Sequence, residues 1–169
     1  MLIYRPSASF VRPADTTDYA AADLIANSAT AGSVTPLSFP LQGTNIVGPF
    51  TVKRAKVHKS STGVANWNVR LHLFSASPTV ANGDNGALSA AAVANYLGFI
   101  SCDGTTIPGD RFSDGAVAIG AQTAGAELNI RLPSGTTIYG LLEALAAYTP
   151  TSEETITVTL DLIEHYPRG

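Results

Sequence analysis

The chain has 169 residues, 45% of them hydrophobic and only 14% charged, with a formal net charge of −3. That length suits one domain with a single sizeable core, and the acidic balance excludes a general nucleic-acid binder, which needs a basic field to release counterions from phosphates. A single cysteine, Cys102, excludes an internal disulfide, and no apolar run reaches bilayer-crossing length.

Gly, Pro, Ala, Thr and Ser fill the connections, a composition that suits a β protein with many turns. An exterior this short of charge is also what a protein has when much of its outside meets neighbours, because charges are depleted in interface cores. The opening MLIYRPSASF lacks the basic start and long apolar segment of a signal peptide. The expected place is the cytoplasm, or something assembled there.

Residues 1–18 carry Pro6 and Pro13 and read as an extended arm. Holding such an arm still costs about 1–2 kcal/mol per residue in backbone entropy. Leu2, Ile3, Tyr4, Phe10 and Val11 are therefore expected to bind a neighbouring subunit, with residues 19–169 forming the folded domain.

Strands are expected at 19–26, 37–41 and 50–59. In the last, Phe50 and Val52 share a phase that Ala55 and Val57 do not, so a β-bulge is expected near Lys53 and Arg54. Trp67, Val69, Leu71 and Leu73 then alternate with Asn66, Asn68, Arg70 and His72, the signature of a half-buried strand with Trp67 in the core. Residues 82–86 (NGDNG) read as a tight turn; they lack the ligand spacing and distal Glu of a calcium loop.

A short helix is expected at 88–94, a strand at 96–102 with Cys102 as a small core hydrophobe, and one long Gly-rich loop at 103–125 serving function or interface. Strands follow at 127–132, 137–147 and 155–164. Leu, Ala and Glu in 140–148 also suit a helix, but the preceding Thr136, Thr137, Ile138 and Tyr139 favour a strand. About eight antiparallel strands give an all-β sandwich of jelly-roll type.

Signatures of chemistry are missing: there is no G-x-S-x-G, H-E-x-x-H, P-loop or C-x-x-C, and His58, His72 and His165 share no short spacing. No catalytic, cofactor or metal residue is expected. An enzyme would need carboxylates such as Glu143 and Glu164 to converge in a cleft. A carbohydrate-binding module would need Trp67, Tyr139 or Tyr148 exposed on a concave face. Lys53, Arg54, Lys56 and Lys59 are four of the chain's ten Lys and Arg residues, and they read either as a solvated strand face or as a docking strip for an acidic surface.

Several stretches carry a resemblance: residues 19–28 (YAAADLIANS), Leu71-His-Leu-Phe74 followed by Pro78 and Asn82-Gly-Asp84-Asn85, Tyr96-Leu-Gly98, and Tyr148-Thr-Pro150 before residues 155–160 (TITVTL). Together they resemble a family of small structural proteins of tailed bacteriophages. The resemblance implies a virion component without catalytic residues. The expected form is a capsid decoration (cement) protein whose partners are the major capsid protein and its own copies as a homotrimer, without nucleic acid or membrane. A head-fibre base, tail or adaptor component is the alternative within the same class.

Overall fold

Alternation decides the architecture. In the computed structural model Ile156, Val158, Leu160 and Leu162 are buried, while Thr155, Thr157, Thr159 and Asp161 between them are not. The structure describes residues 2–41, 49–63, 65–105, 112–121, 127–131 and 137–165. In chain order their strands are β1 (Leu2–Tyr4), β2 (Ser7–Val11), β3 (Leu24–Ile25), β4 (Leu37–Pro40), β5 (Pro49–Lys59), β6 (Asn68–Phe74), β7 (Thr79–Val80), β8 (Ala90–Ala91), β9 (Tyr96–Asp103), β10 (Ala116–Ala121), β11 (Leu128–Arg131), β12 (Thr137–Ala144) and β13 (Thr155–Glu164).

All pairings are antiparallel, and the main ladder runs β1-β13-β5-β10-β9-β6-β12-β3. β2 lies beside β1 along β13, β11 beside β10 along β5, and β4 beside β3 along β12. β9 and β10 meet at one register pair, Ile119 with Asp103, so the ladder folds there into two halves. Their inward residues, including Phe39, Val57, Trp67, Leu71, Ile100 and Leu160, share one core. This all-β antiparallel arrangement is consistent with a β-sandwich. A second, smaller cluster of Leu24, Ala26, Phe74, Val80, Ala92 and Leu141 seals the outer side of β12.

Among the described residues thirteen strands stand where about eight are expected, because several ladder positions are shared by two short strands in tandem and β7 and β8 form a separate ribbon. Segment 137–144 is the favoured strand rather than a helix. The bulge is where the phase slip placed it: Asp161 lies opposite Arg54 and Leu162 opposite Val52, leaving Lys53 as the extra residue. Trp67 is fully buried, and Cys102 lies in the core.

Three expectations fail. Residues 88–94 are not helical: β8 pairs with β7, and only a 3-10 turn, Val93–Asn95, follows, so pairing overrides alanine's helix propensity. The stretch 103–125 is not one loop, for it contains β10; residues 106–111 and 122–126 lie outside the described residues. β10 escapes notice because Ala and Gly are poor strand formers, yet Gly120 is needed: a Cβ there would stand 2.2 Å from the Ser101 carbonyl oxygen. Of 19–26, only Leu24–Ile25 joins the ladder; Tyr19 and Asp23 make single bridges to Tyr148 and Ala87.

The N-terminal arm is corrected too. Residues 2–11 are strands of the chain's own sheet, β1 facing Leu162 to Glu164 and β2 facing Thr155 to Thr159. β13 has a free edge, and main-chain pairing along it holds a Pro-broken segment that local pattern alone leaves loose. Tyr4 and Phe10 pack against the main core, whereas Ile3 and Val11 face outward and are exposed.

Candidate docking face

β5 runs through the middle of one outer surface, between β13 and β10. Lys56 and His58 point away from the core because they alternate with the buried Ala55 and Val57. Register extends each into a row across four strands: Ser9, Thr157, His58 and Val117 in one, Ser7, Thr159, Lys56 and Ile119 in the next. A third row pairs Asp161 with Arg54, and Arg5 closes it from the link between β1 and β2.

The Arg5 Nε–H donates to Asp161 Oδ1 at 3.0 Å, and that of Arg54 donates to Oδ2 at 2.8 Å. Exposed pairs of this kind add only ~0–1 kcal/mol each to stability. Their larger effect is to fix where positive charge stands. At the β10 edge a cavity of about 310 Å³ opens between Lys56, His58, Phe112, Asp114, Val117 and Ile119, with Phe112 half exposed. The face thus grades from Ser and Thr, through basic residues, to an apolar groove.

Of the residues expected to bind partners, Arg54, Lys56, Ile3 and Val11 lie on this outer side of the sheet. Lys53 is the bulge residue and is engaged by Glu127 in an ion pair. Leu2 pairs through its backbone with Glu164. Tyr4 and Phe10 are turned inward.

Lys59 does not belong to the strip at all: it is 2% exposed and sealed beneath the face. Its parity is that of Ala55 and Val57, so β5 delivers it to the core side. There its Nζ lies 3.6 Å from Glu154 Oε1, 4.9 Å from the centre of the Trp67 ring and 5.1 Å from that of Tyr148. Burial lowers its pKa from the usual lysine value, and Glu154 offsets part of that shift.

A second buried ion pair adjoins it. Arg12 Nη2–H donates to Asp84 Oδ2 at 2.8 Å, and the Tyr19 hydroxyl donates to Oδ1 at 2.6 Å, with the Ala26 amide on the same oxygen at 2.7 Å. Asp84 comes from the NGDNG turn, whose purpose is therefore partly to aim one carboxylate inward. Tyr19 stacks on Tyr148, ring centres 4.9 Å apart, which joins the two pairs into one column.

The groups named for other functions do not assemble. Glu143 stands on the outer side of β12 against Arg70 and His72, whereas Glu164 is turned inward from β13. Trp67 and Tyr148 are buried, and Tyr139 packs on the smaller cluster, so those rings form no exposed carbohydrate face. Among the described residues, no group of three or more His, Cys, Asp or Glu side chains is placed to hold a metal ion. No protein-family model matches the chain, and no curated protein matches it significantly.

Proposed function

We propose that the chain is a non-enzymatic structural protein of a tailed-bacteriophage virion, a capsid decoration (cement) protein that docks on the outer shell and bridges neighbouring capsomers. One observation carries the reading: the outer face of β2, β13, β5 and β10 sets Arg5, Arg54 and Lys56 against Asp161, a local excess of positive charge with His58 beside it, in a chain whose net charge is −3. An acidic partner surface is steered and aligned by such a face, while the apolar groove beside it supplies residence time. The partners are the major capsid protein and further copies of the chain, arranged as a cyclic trimer. Several weak contacts per assembly then multiply into firm attachment.

The jelly-roll form of the sandwich belongs to the same reading. What supports it is strand order: β2-β13-β5-β10 in one half and β4-β12-β6-β9 in the other is the alternation that interlocked Greek keys produce.

The test has two arms. Imaging of intact particles locates the subunit, with density on the shell expected; density at the tail or at a head fibre replaces decoration by the tail or adaptor role. Binding to stripped particles is then timed for the parent protein and for Arg54→Gln with Lys56→Gln. Slower association with a flatter salt dependence is expected, and identical kinetics would remove this face from the interface.

A further inference from the structure

The opposite outer surface, on β12, β6 and β9, has a different character. Register sets Tyr139, Phe74 and Tyr96 side by side, then Leu141, His72 and Phe99, then Glu143, Arg70 and Ser101. Phe74 and Leu141 are buried in the smaller cluster and Tyr139 packs on it, so the open part of this face is Tyr96 and Phe99 beside the hydrogen-bonding groups. Tyr96 and Phe99 are 41% and 47% exposed, unlike the sealed rings of the core.

The polar end is already organised. Glu143 Oε2 accepts from Arg70 Nη1 at 3.2 Å and pairs with His72 Nε2 at 2.9 Å, while His72 Nδ1 lies 3.0 Å from the Tyr96 hydroxyl. The Arg70 guanidinium covers one side of the Phe99 ring, 4.7 Å from its centre. Both Glu143 bonds land on Oε2, which leaves Oε1 as an acceptor. Tyr96 reaches its place through a bulge: Gly98 faces Leu73 and Tyr96 faces Phe74, with Leu97 as the extra residue. Gly98 has φ +129°, and a Cβ there would lie 2.5 Å from a Leu128 methyl, so the bulge demands glycine.

We infer that this face is a sugar-binding platform, on which a hexopyranose lays its C–H surface against Phe99 and Tyr96 and directs hydroxyls to Glu143, Arg70 and His72. A pyranose has the required duality, one apolar flank and a rim of groups that both donate and accept. The side chains of Arg70, His72 and Glu143 are 32%, 14% and 13% exposed, so a sugar hydroxyl meets them at their open margins. The platform lies on the sheet opposite the docking face, so a subunit held by β5 would present it outward. It goes beyond the docking role and does not depend on it.

The isolated protein is screened on arrays of glucan, galactan, mannan and rhamnan oligosaccharides, and the strongest binder is then titrated in solution. Phe99→Ala and Tyr96→Ala each remove a stacking surface and should weaken binding about tenfold. Glu143→Gln should also weaken it. Because both rings are more than half buried and Tyr96 also bonds His72, the two aromatic variants should lose some thermal stability, and binding is compared on protein shown to be folded by circular dichroism. Particle binding by all three variants should equal that of the parent, which separates this site from the docking face. No binding to any glycan, binding indifferent to Phe99 and Tyr96, or self-association that these substitutions abolish would each overturn the assignment.

Discussion

Lys59 and Glu154 form an ion pair with almost no access to water, Nζ to Oε1 at 3.6 Å, their side chains 3% and 0% exposed. Ser61 also donates to Glu154, and the ammonium group sits against Trp67 and Tyr148. Two charges taken out of water recover their desolvation cost only together.

Lys59→Met should therefore destabilise the fold by about 3–5 kcal/mol, because it strands a buried carboxylate. Adding Glu154→Leu should restore much of the loss, since an apolar pair needs no hydration. Urea midpoints for the two singles and the double supply the cycle. A Lys59→Met protein as stable as the parent would show that the pair carries nothing.

The same column sets an alkaline limit. Unfolded tyrosines release their protons near pH 10.0, whereas Tyr19 and Tyr148 hold theirs well above that, first because burial disfavours the phenolate and then because Asp84 and Glu154 lie near. Above pH 10.0 the folded chain thus binds more protons than the unfolded one, and stability falls as pH rises. Lys59 acts in the opposite sense: its folded pKa is lowered, so stability grows with pH from that value up to the unfolded 10.5. Burial also holds the Cys102 thiol protonated above the unfolded 9.0, a loss that Lys59 offsets. The expected profile is therefore level towards pH 10.0 and then drops, by up to about 2.7 kcal/mol per pH unit from the two tyrosines. Urea melts across that range give the curve, and Tyr19→Phe should make its descending limb shallower.

How much of this was readable beforehand differs by the range of the interaction. Alternation is local, so the inward set of Trp67, Val69, Leu71 and Leu73 and the phase slip at Lys53 follow from residues a few places apart. Lys59 shares the inward parity of Ala55 and Val57, whereas grouping by charge sets it with Arg54 and Lys56. What completes its site is Glu154, two positions before Ile156 in the inward phase of β13, and no local pattern announces that β5 and β13 are neighbours. The same holds for Asp84 with Arg12, and for Tyr96 and Phe99, which reach His72 and Arg70 only through the β6 and β9 register and a one-residue bulge.

Trp67 and Cys102 report on the core without mutation. The indole is fully buried, edge-on to Tyr148 with ring centres 5.3 Å apart, so its emission should be blue-shifted and resistant to soluble quenchers. Burial pushes the Cys102 thiol up to about 12, which suppresses the reactive thiolate. Thiol reagents should label Cys102 only as the protein opens, in step with the loss of the blue-shifted emission. Rapid labelling of the native chain would contradict the core drawn here.

Removing residues 1–12 strips β13 of its partners β1 and β2 and takes away Arg12, which is 2% exposed and bound to both Asp84 and Tyr19. Asp84 would then stay buried with hydrogen bonds but no counter-charge, a loss of about 3–5 kcal/mol before the lost strand pairing is counted. A domain of ordinary stability, about 5–15 kcal/mol, survives this only marginally. The truncated chain should unfold at clearly lower urea, whether or not particles are present, and Arg12→Met alone should reproduce part of the shift. A truncation that leaves the urea midpoint unchanged and weakens only particle attachment would return residues 1–12 to the role of a partner-binding arm.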